Sequence, residues 1–301
     1  AGGGGVCRHL GSSCAFEFFL WRMADLVVGR AMARRGDDNG LTRGSEMIDK
    51  SKGVALVTGA GERIGKSIAM ATAEHGYSVA VHYRRSDEAA AAVVAEIEAA
   101  GGQARAFAAD LADEEATAGL VAAASALGPV TCLVNNASLF EYDSAATVNR
   151  RSWDAHMVVN LRAPLVLAQA FAAALPSERE GVIVNLLDQR VVNLTPHFLS
   201  YTVSKSALWT LTQTLAMAFA PRIRVMSIGP GPTLPSAYQD EGAFARQVAA
   251  TPLARAVSVD EICHALRFIL DARSLTGQMI ALDSGQHLGW RNAPPNDADL
   301  E

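Results

Sequence analysis

From Gly53 onward the chain alternates short, β-branched apolar runs with longer, alanine-rich stretches of helical periodicity. The apolar runs predict strands over Val54–Val57, Ser78–His82, Ala104–Ala108, Cys132–Val134, Val182–Leu186, Arg224–Ile228 and Met279–Leu282. Helices are predicted between them, near Gly65–His75, Asp87–Ala100, Asp113–Ala126, Arg151–Ala174, Tyr201–Phe219 and Val259–Asp271. Continuous apolar strands are buried on both faces. The alternation therefore predicts an α/β domain in which one parallel sheet of about seven strands is covered by helices on both sides. No internal repeat or interdomain linker interrupts it.

The two ends do not share this pattern. Residues 1–46 hold a glycine run, Gly2–Gly5, and an apolar patch, Cys14–Trp21, which Arg22 and Asp25 break short of membrane-spanning length. No small-residue cleavage site follows a clear apolar core. The expectation is an extension outside the fold, with Met47 as a hypothetical start, a single folded domain over 47–290, and targeting as the second role for the extension. Residues 291–301, RNAPPNDADLE, are expected to form a flexible tail.

Composition narrows the function more than the fold. The 301 residues are 50% hydrophobic and 19% charged, which suits one large globular domain. A formal net charge of -5 at pH 7 gives no basic footprint for nucleic acid, so a small-molecule partner is expected, with neither nucleic acid nor membrane. Four cysteines (Cys7, Cys14, Cys132, Cys263) and seven histidines lack ligand spacing. No metal site is expected, and the thiols suit a reduced, cytoplasmic protein.

Candidate chemistry gathers at the predicted carboxyl ends of the strands, where ligands bind in open parallel sheets. The first strand runs into Thr58-Gly59-Ala60-Gly61-Glu62-Arg63-Ile64-Gly65 and then a helix. Glycines there permit a tight turn and close approach, and the helix N-terminus offers unpaired N–H groups to a pyrophosphate. The second strand ends in His82-Tyr83-Arg84-Arg85-Ser86, and arginines with a serine hydroxyl at that place favour a 2′-phosphate, hence NADPH over NADH. Asp110 follows the third strand, where a carboxylate can read an adenine amino group. Asn135 and Asn136 follow the fourth and can bond backbone groups beside a cofactor. Finally, Asp188 ends the fifth strand, and Tyr201 and Lys205, four residues apart, share one helix face. A cation there lowers the phenol's pKa and readies it for proton transfer.

With these pieces in order, the chain from about Ser51 to Gly289 resembles the short-chain dehydrogenase/reductase family. The resemblance rests on TGAGERIG (58–65), AADL (108–111), NNAS (135–138), VVNL (158–161), YTVSK (201–205) and GPGPT (229–233). It implies a single Rossmann-type doubly wound domain, a nicotinamide cofactor, and a catalytic group of Asn160, Tyr201 and Lys205, with Asn160 holding a relay water. It also adds Arg63, Ile64, Tyr83, Leu111, Ala137, Ser138, Pro230 and Gly231 to the cofactor contacts, with Tyr201 and Lys205. Members of the family are commonly dimers or tetramers packed through long helices, so a homodimer or homotetramer is expected.

Three departures point to a subgroup. Arg63 and Ser138 stand where most members have glycine, and Asp188 stands where most have serine. With HYRRS (82–86) and Phe140, these resemble the pteridine and dihydromonapterin reductases, although the usual DGG near the end is broken by Ser284. That likeness implies a substrate site of Arg63, Phe140, Asp188 and Tyr201, in which Phe140 stacks on a pterin and Asp188 works with Tyr201. The first expectation is therefore an NADPH-dependent reductase of dihydropterins. A carbonyl reductase acting on a 3-oxoacyl thioester or small ketone is the alternative, and a non-catalytic NADP-binding protein is the third.

Overall fold

The computed structural model describes residues 52–236 and 238–289. The expected extension over 1–46, the start at Met47 and the tail over 291–301 lie outside the described residues. Seven parallel strands form one sheet in the order β3-β2-β1-β4-β5-β6-β7. They are β1 Val54–Val57, β2 Ser78–Tyr83, β3 Ala104–Ala108, β4 Val130–Asn135, β5 Gly181–Leu186, β6 Ile223–Pro230 and β7 Met279–Leu282. Every predicted strand is present, and the chain is a Rossmann-type α/β domain.

Burial on both faces explains the uniformly apolar strands: β1, β4 and β5 are buried at every position. On one face, Ile68, Val93, Ile97, Ile262 and Leu266 pack against Val57, Val81 and Val134; on the other, Leu120, Leu167, Phe171 and Leu215 pack against Leu56, Leu133 and Ile183. The first set comes from α1 (Arg63–Glu74), α2 (Asp87–Ala99) and α8 (Val259–Asp271). The second comes from α3 (Glu114–Ala124), α5 (Ala163–Ala174) and α6 (Leu199–Phe219). Chain order reverses where β1 lies between β2 and β4, which opens a crevice at their carboxyl ends.

Two helices differ from expectation. The predicted helix over Arg151–Ala174 is broken into α4 (Arg150–Met157), a π-turn (Val158–Arg162) and α5. Pro164 is the physical reason: it offers no N–H to the carbonyl of Asn160 four residues earlier, and its ring crowds that carbonyl. The whole 25-residue stretch is long and apolar enough to cross a membrane. Its Leu167, Ala168 and Phe171 are wholly buried on the sheet, however, so it is a core helix. The other difference is α7 (Glu241–Ala250), a helix where none was predicted. Asp240 caps it by accepting from Ala243 N at 2.6 Å.

Candidate active site

The turn after β1 is built for close approach. Gly59 adopts φ 62°, and a methyl group on Gly65 would lie 2.0 Å from the Gly59 carbonyl oxygen. Asn136, at the end of β4, ties this turn down by donating from Nδ2 to the carbonyls of Thr58 (2.9 Å) and Gly59 (3.1 Å). The N-cap of α1, Glu62, makes no side-chain cap bond, so the first-turn N–H groups remain for an anion. Here the cradle, the uncapped helix and the strand order fit a pyrophosphate.

His82 couples this turn to the neighbouring strands. Gly59 N donates to its Nδ1 at 3.1 Å, and its Nε2 then donates to Ala109 O at 3.1 Å. Burial lowers its pKa, while the Ala109 bond and Asp110 act the other way. Beyond it, Tyr83 ends β2, while Arg84, Arg85 and Ser86 are exposed. Ser86 is the N-cap of α2 yet makes no side-chain cap bond, and neither arginine has an ion pair among the described residues. Asp110 is also exposed, with Oδ1 accepting from Ala112 N at 3.0 Å. Leu111 and Ala137 belong to the core layer beneath the site.

At the other end of the crevice, Asp188 leaves β5 and Tyr201 and Lys205 sit on α6. The Tyr201 hydroxyl donates to Asp188 Oδ2 at 3.0 Å. Lys205 Nζ lies 5.9 Å from the Tyr201 ring centroid and donates to Leu186 O at 2.7 Å. Burial pulls the Lys205 pKa down to about 8, and Asp188 opposes that fall. The expected face-sharing of Tyr201 and Lys205 is therefore present, with Asp188 in direct contact.

Asn160 lies wholly buried in the π-turn. Its Oδ1 accepts from Leu139 N (2.8 Å) and Ser138 Oγ (3.3 Å), and its Nδ2 donates to Leu139 O (2.9 Å) and Ser204 Oγ (3.0 Å). The side chain is thus committed to protein partners. Pro164 leaves the carbonyl of this residue without an α-helical donor.

A cleft of about 280 Å³ joins these groups. Arg63, Ile64, Asn136, Ser138, Phe140, Asp188, Tyr201, Lys205, Pro230 and Gly231 line it, as do Phe244 and Gln247 of α7. Gly59, Gly65, Tyr83, Arg84, Arg85, Ser86, Asp110, Leu111, Ala137 and Asn160 do not line this cleft. Apart from Asn160, they lie on the glycine turn and at the ends of β2, β3 and β4. Arg63, at φ 51°, donates from Nη2 to Pro235 O at 3.0 Å and so bridges the glycine turn to the loop ahead of α7.

Sequence reasoning passed over several residues of the site. Arg190, with a side chain 4% exposed, lines the cleft beside Asp188. Phe198, fully buried, stacks on Phe140 with centroids 4.3 Å apart. Behind Tyr201, buried Asp143 takes hydrogen bonds from Ser200 N (3.0 Å), Ser200 Oγ and Ser152 Oγ (3.0 Å), while His156 Nε2 accepts from Glu141 N at 3.1 Å. Because the serine donates to the carboxylate and the histidine faces a backbone N–H, this Ser-His-Asp group braces the 139–143 loop and supplies no nucleophile.

Comparison with known proteins points the same way. Residues 53–244 match the short chain dehydrogenase family. FolM alternative dihydrofolate reductase 1 from Brucella canis, crystallised with NADP, is 47% identical with a TM-score of 0.78, over 80% of this chain and 96% of that one. A blue fluorescent protein from a metagenomic library, crystallised with NADPH, is 33% identical with a TM-score of 0.72, over 78% and 98%. The 3-oxoacyl-[acyl-carrier-protein] reductase FabG of Staphylococcus aureus is 33% identical over 241 residues, 78% of this chain and 98% of its own.

Proposed function

The chain belongs to the short-chain dehydrogenase family, and from that premise we propose that it is an NADPH-dependent reductase of dihydropterins. The observation that carries the substrate class is Asp188 bonded to the Tyr201 hydroxyl in a cleft walled by Phe140. A carboxyl group can pair with the ring nitrogen and exocyclic amine of a pterin, which a serine there cannot do. Phe140 offers a flat ring on which such a heterocycle stacks. The 47% identity to FolM of Brucella canis supports the same class.

The Gly59–Gly65 turn and the uncapped start of α1 would hold the cofactor pyrophosphate, and Arg84, Arg85 and Ser86 its 2′-phosphate. Bound NADPH supplies the hydride that reduces a C=N bond. Tyr201 donates the proton that the ring nitrogen gains, and Asp188 orients the phenol and the substrate. Lys205 would turn from the Leu186 carbonyl to the nicotinamide ribose, and its charge eases loss of the phenolic proton. The carbonyl of Asn160 is the acceptor for a water through which Tyr201 is reprotonated.

The FabG relative favours a second reading, reduction of a 3-oxoacyl thioester. Purified protein given NADPH and a panel of dihydropterins and 3-oxoacyl thioesters separates the two; NADPH oxidation with thioesters alone sinks the pterin assignment. A non-catalytic NADP-binding role fits poorly with Tyr201 bonded to Asp188 and Lys205 beside the Tyr201 ring. Assembly as a homodimer or homotetramer through α4 to α6 is part of the proposal, supported by exposed Met217 (75%), Val203 (39%) and Trp153 (37%). A cytoplasmic location is likewise proposed, supported by free, buried thiols at Cys132 and Cys263.

Two substitutions test the cofactor site. Arg85→Asp is expected to move preference from NADPH towards NADH, read as the ratio of kcat/KM values. An unchanged ratio places 2′-phosphate recognition elsewhere. Gly65→Ala is expected to weaken NADPH binding at least about tenfold, because its methyl group collides with the turn. Fluorescence titration measures it, and full affinity would remove the turn from the cofactor site.

A further inference from the structure

Five contacts close a ring beside the substrate side of the cleft. The Arg190 guanidinium carbon lies 5.2 Å from the Phe198 ring centroid. Phe198 stacks on Phe140 at 4.3 Å with 8° between the planes. Phe140 meets Tyr201 edge-on at 4.7 Å and 79°. The Tyr201 hydroxyl donates to Asp188 Oδ2 at 3.0 Å. Asp188 Oδ1 returns to the start, accepting from Arg190 N at 2.8 Å and lying 4.0 Å from its Nε.

We propose that Arg190 and Phe198 are positioning residues of the reductase: by closing this ring they set the Phe140 wall and the Tyr201–Asp188 pair in one fixed geometry. In an open chain of contacts, either end can drift. A closed ring lets no member move without displacing two neighbours. The proposal rests on the dihydropterin reading, since a flat heterocycle needs its stacking wall and its proton donor set together, whereas a small ketone needs only the donor.

Neither residue is explained by stability alone. Among the described residues Arg190 buries a guanidinium with one side-chain hydrogen bond, Nη1 to Thr195 Oγ1 at 3.0 Å, and a loose ion pair, an arrangement that costs more desolvation than it returns. Its planar face on Phe198 is a contact that lysine does not reproduce. Phe198 holds φ 53° at the start of α6, a left-handed conformation unfavourable for a bulky side chain. Such strain persists where surrounding contacts over-determine it, and it clusters at functional sites. The backbone bend aims the Phe198 ring between Phe140 and Arg190.

The test uses the full chain with NADP⁺ bound, as wild type, Arg190→Met and Phe198→Leu. The Tyr201 phenol is followed by NMR of ring-labelled tyrosine, its signal assigned by loss in Tyr201→Phe. The ionisable groups facing it are Asp188 after β5, Arg190 of the following turn, Lys205 on its own helix and His156 of α4. Arg190→Met is expected to leave the phenol beside an uncompensated carboxylate, raising its proton affinity about tenfold; Phe198→Leu is expected to shift its resonance. Both should lower kcat for a dihydropterin roughly ten- to a hundredfold, with NADPH affinity held. An unmoved Tyr201 titration in Arg190→Met together with an unmoved resonance in Phe198→Leu overturns the ring, whether or not a dihydropterin is reduced. Movement of both, with no dihydropterin turnover by wild type, keeps the ring and sinks the substrate class. Arg190→Met, whose apolar chain has similar reach, carries the test if Phe198→Leu fails to fold.

Discussion

Tyr201→Phe is expected to lower kcat by roughly 10²- to 10⁴-fold, while NADPH affinity stays nearly intact. The substitution removes the phenolic oxygen that donates to Asp188 and leaves the ring in place against Phe140 and His156. Lys205 and the Gly59–Gly65 turn are untouched by the change, so the cofactor side of the site keeps its shape. Single-turnover oxidation of NADPH measures the chemical step, and fluorescence titration measures binding. Equal losses in kcat and kcat/KM identify an interaction made only in the transition state. Surviving turnover would assign the proton to Asp188 or a water.

The second large effect is expected from Asp188→Ser. The variant restores the side chain that most of the family carries and removes the carboxylate that would grip a pterin. For a dihydropterin, kcat/KM should fall at least about 100-fold, because the pterin's ring N–H and amine then face a site that cannot pair with both. Activity on a 3-oxoacyl thioester should hold or rise. Equal losses on both substrates would show that Asp188 serves the common proton transfer and selects no substrate. Stability should fall as well: the buried Arg190 guanidinium loses its only nearby carboxylate among the described residues, a change of about 1–3 kcal/mol. Kinetics therefore belong well below the melting transition, which calorimetry locates.

The sheet was legible because each strand is a short, mainly apolar run between helical stretches, and the central strands β1, β4 and β5 are buried at every position, so periodicity and punctuation agree from Val54 to Leu282. The Gly59–Gly65 turn and the Tyr201–Lys205 pair were legible for a similar reason: each is local, with spacing that carries the geometry. Arg190, Phe198, Asp143 and His156 were not. Phe140 and Phe198 stand far apart in sequence, and Ser200 reaches Asp143 across 57 residues. Nothing in a local window marks such a pair. His82 was hidden differently, because an inward-facing histidine in an apolar strand keeps the alternation intact while its ring bonds Gly59 and Ala109. The break after Met157 had a visible signal in Asn160 and Pro164, four residues apart, which the strong apolar periodicity of the surrounding helix masked.

The π-turn at Val158–Arg162 also sets a limit on redesign. It amounts to one extra residue threaded into a helix, so the segments on either side run in different rotational phase. Deleting that residue and replacing Pro164 with alanine would give a smoother and intrinsically better helix. It would also turn Asn160 by roughly 100° about the axis, away from Leu139 and Ser204. Consensus or idealising programmes that reward regular helices would select this change for stability and lose the site with it. The irregular turn belongs among the positions held fixed in any engineered variant.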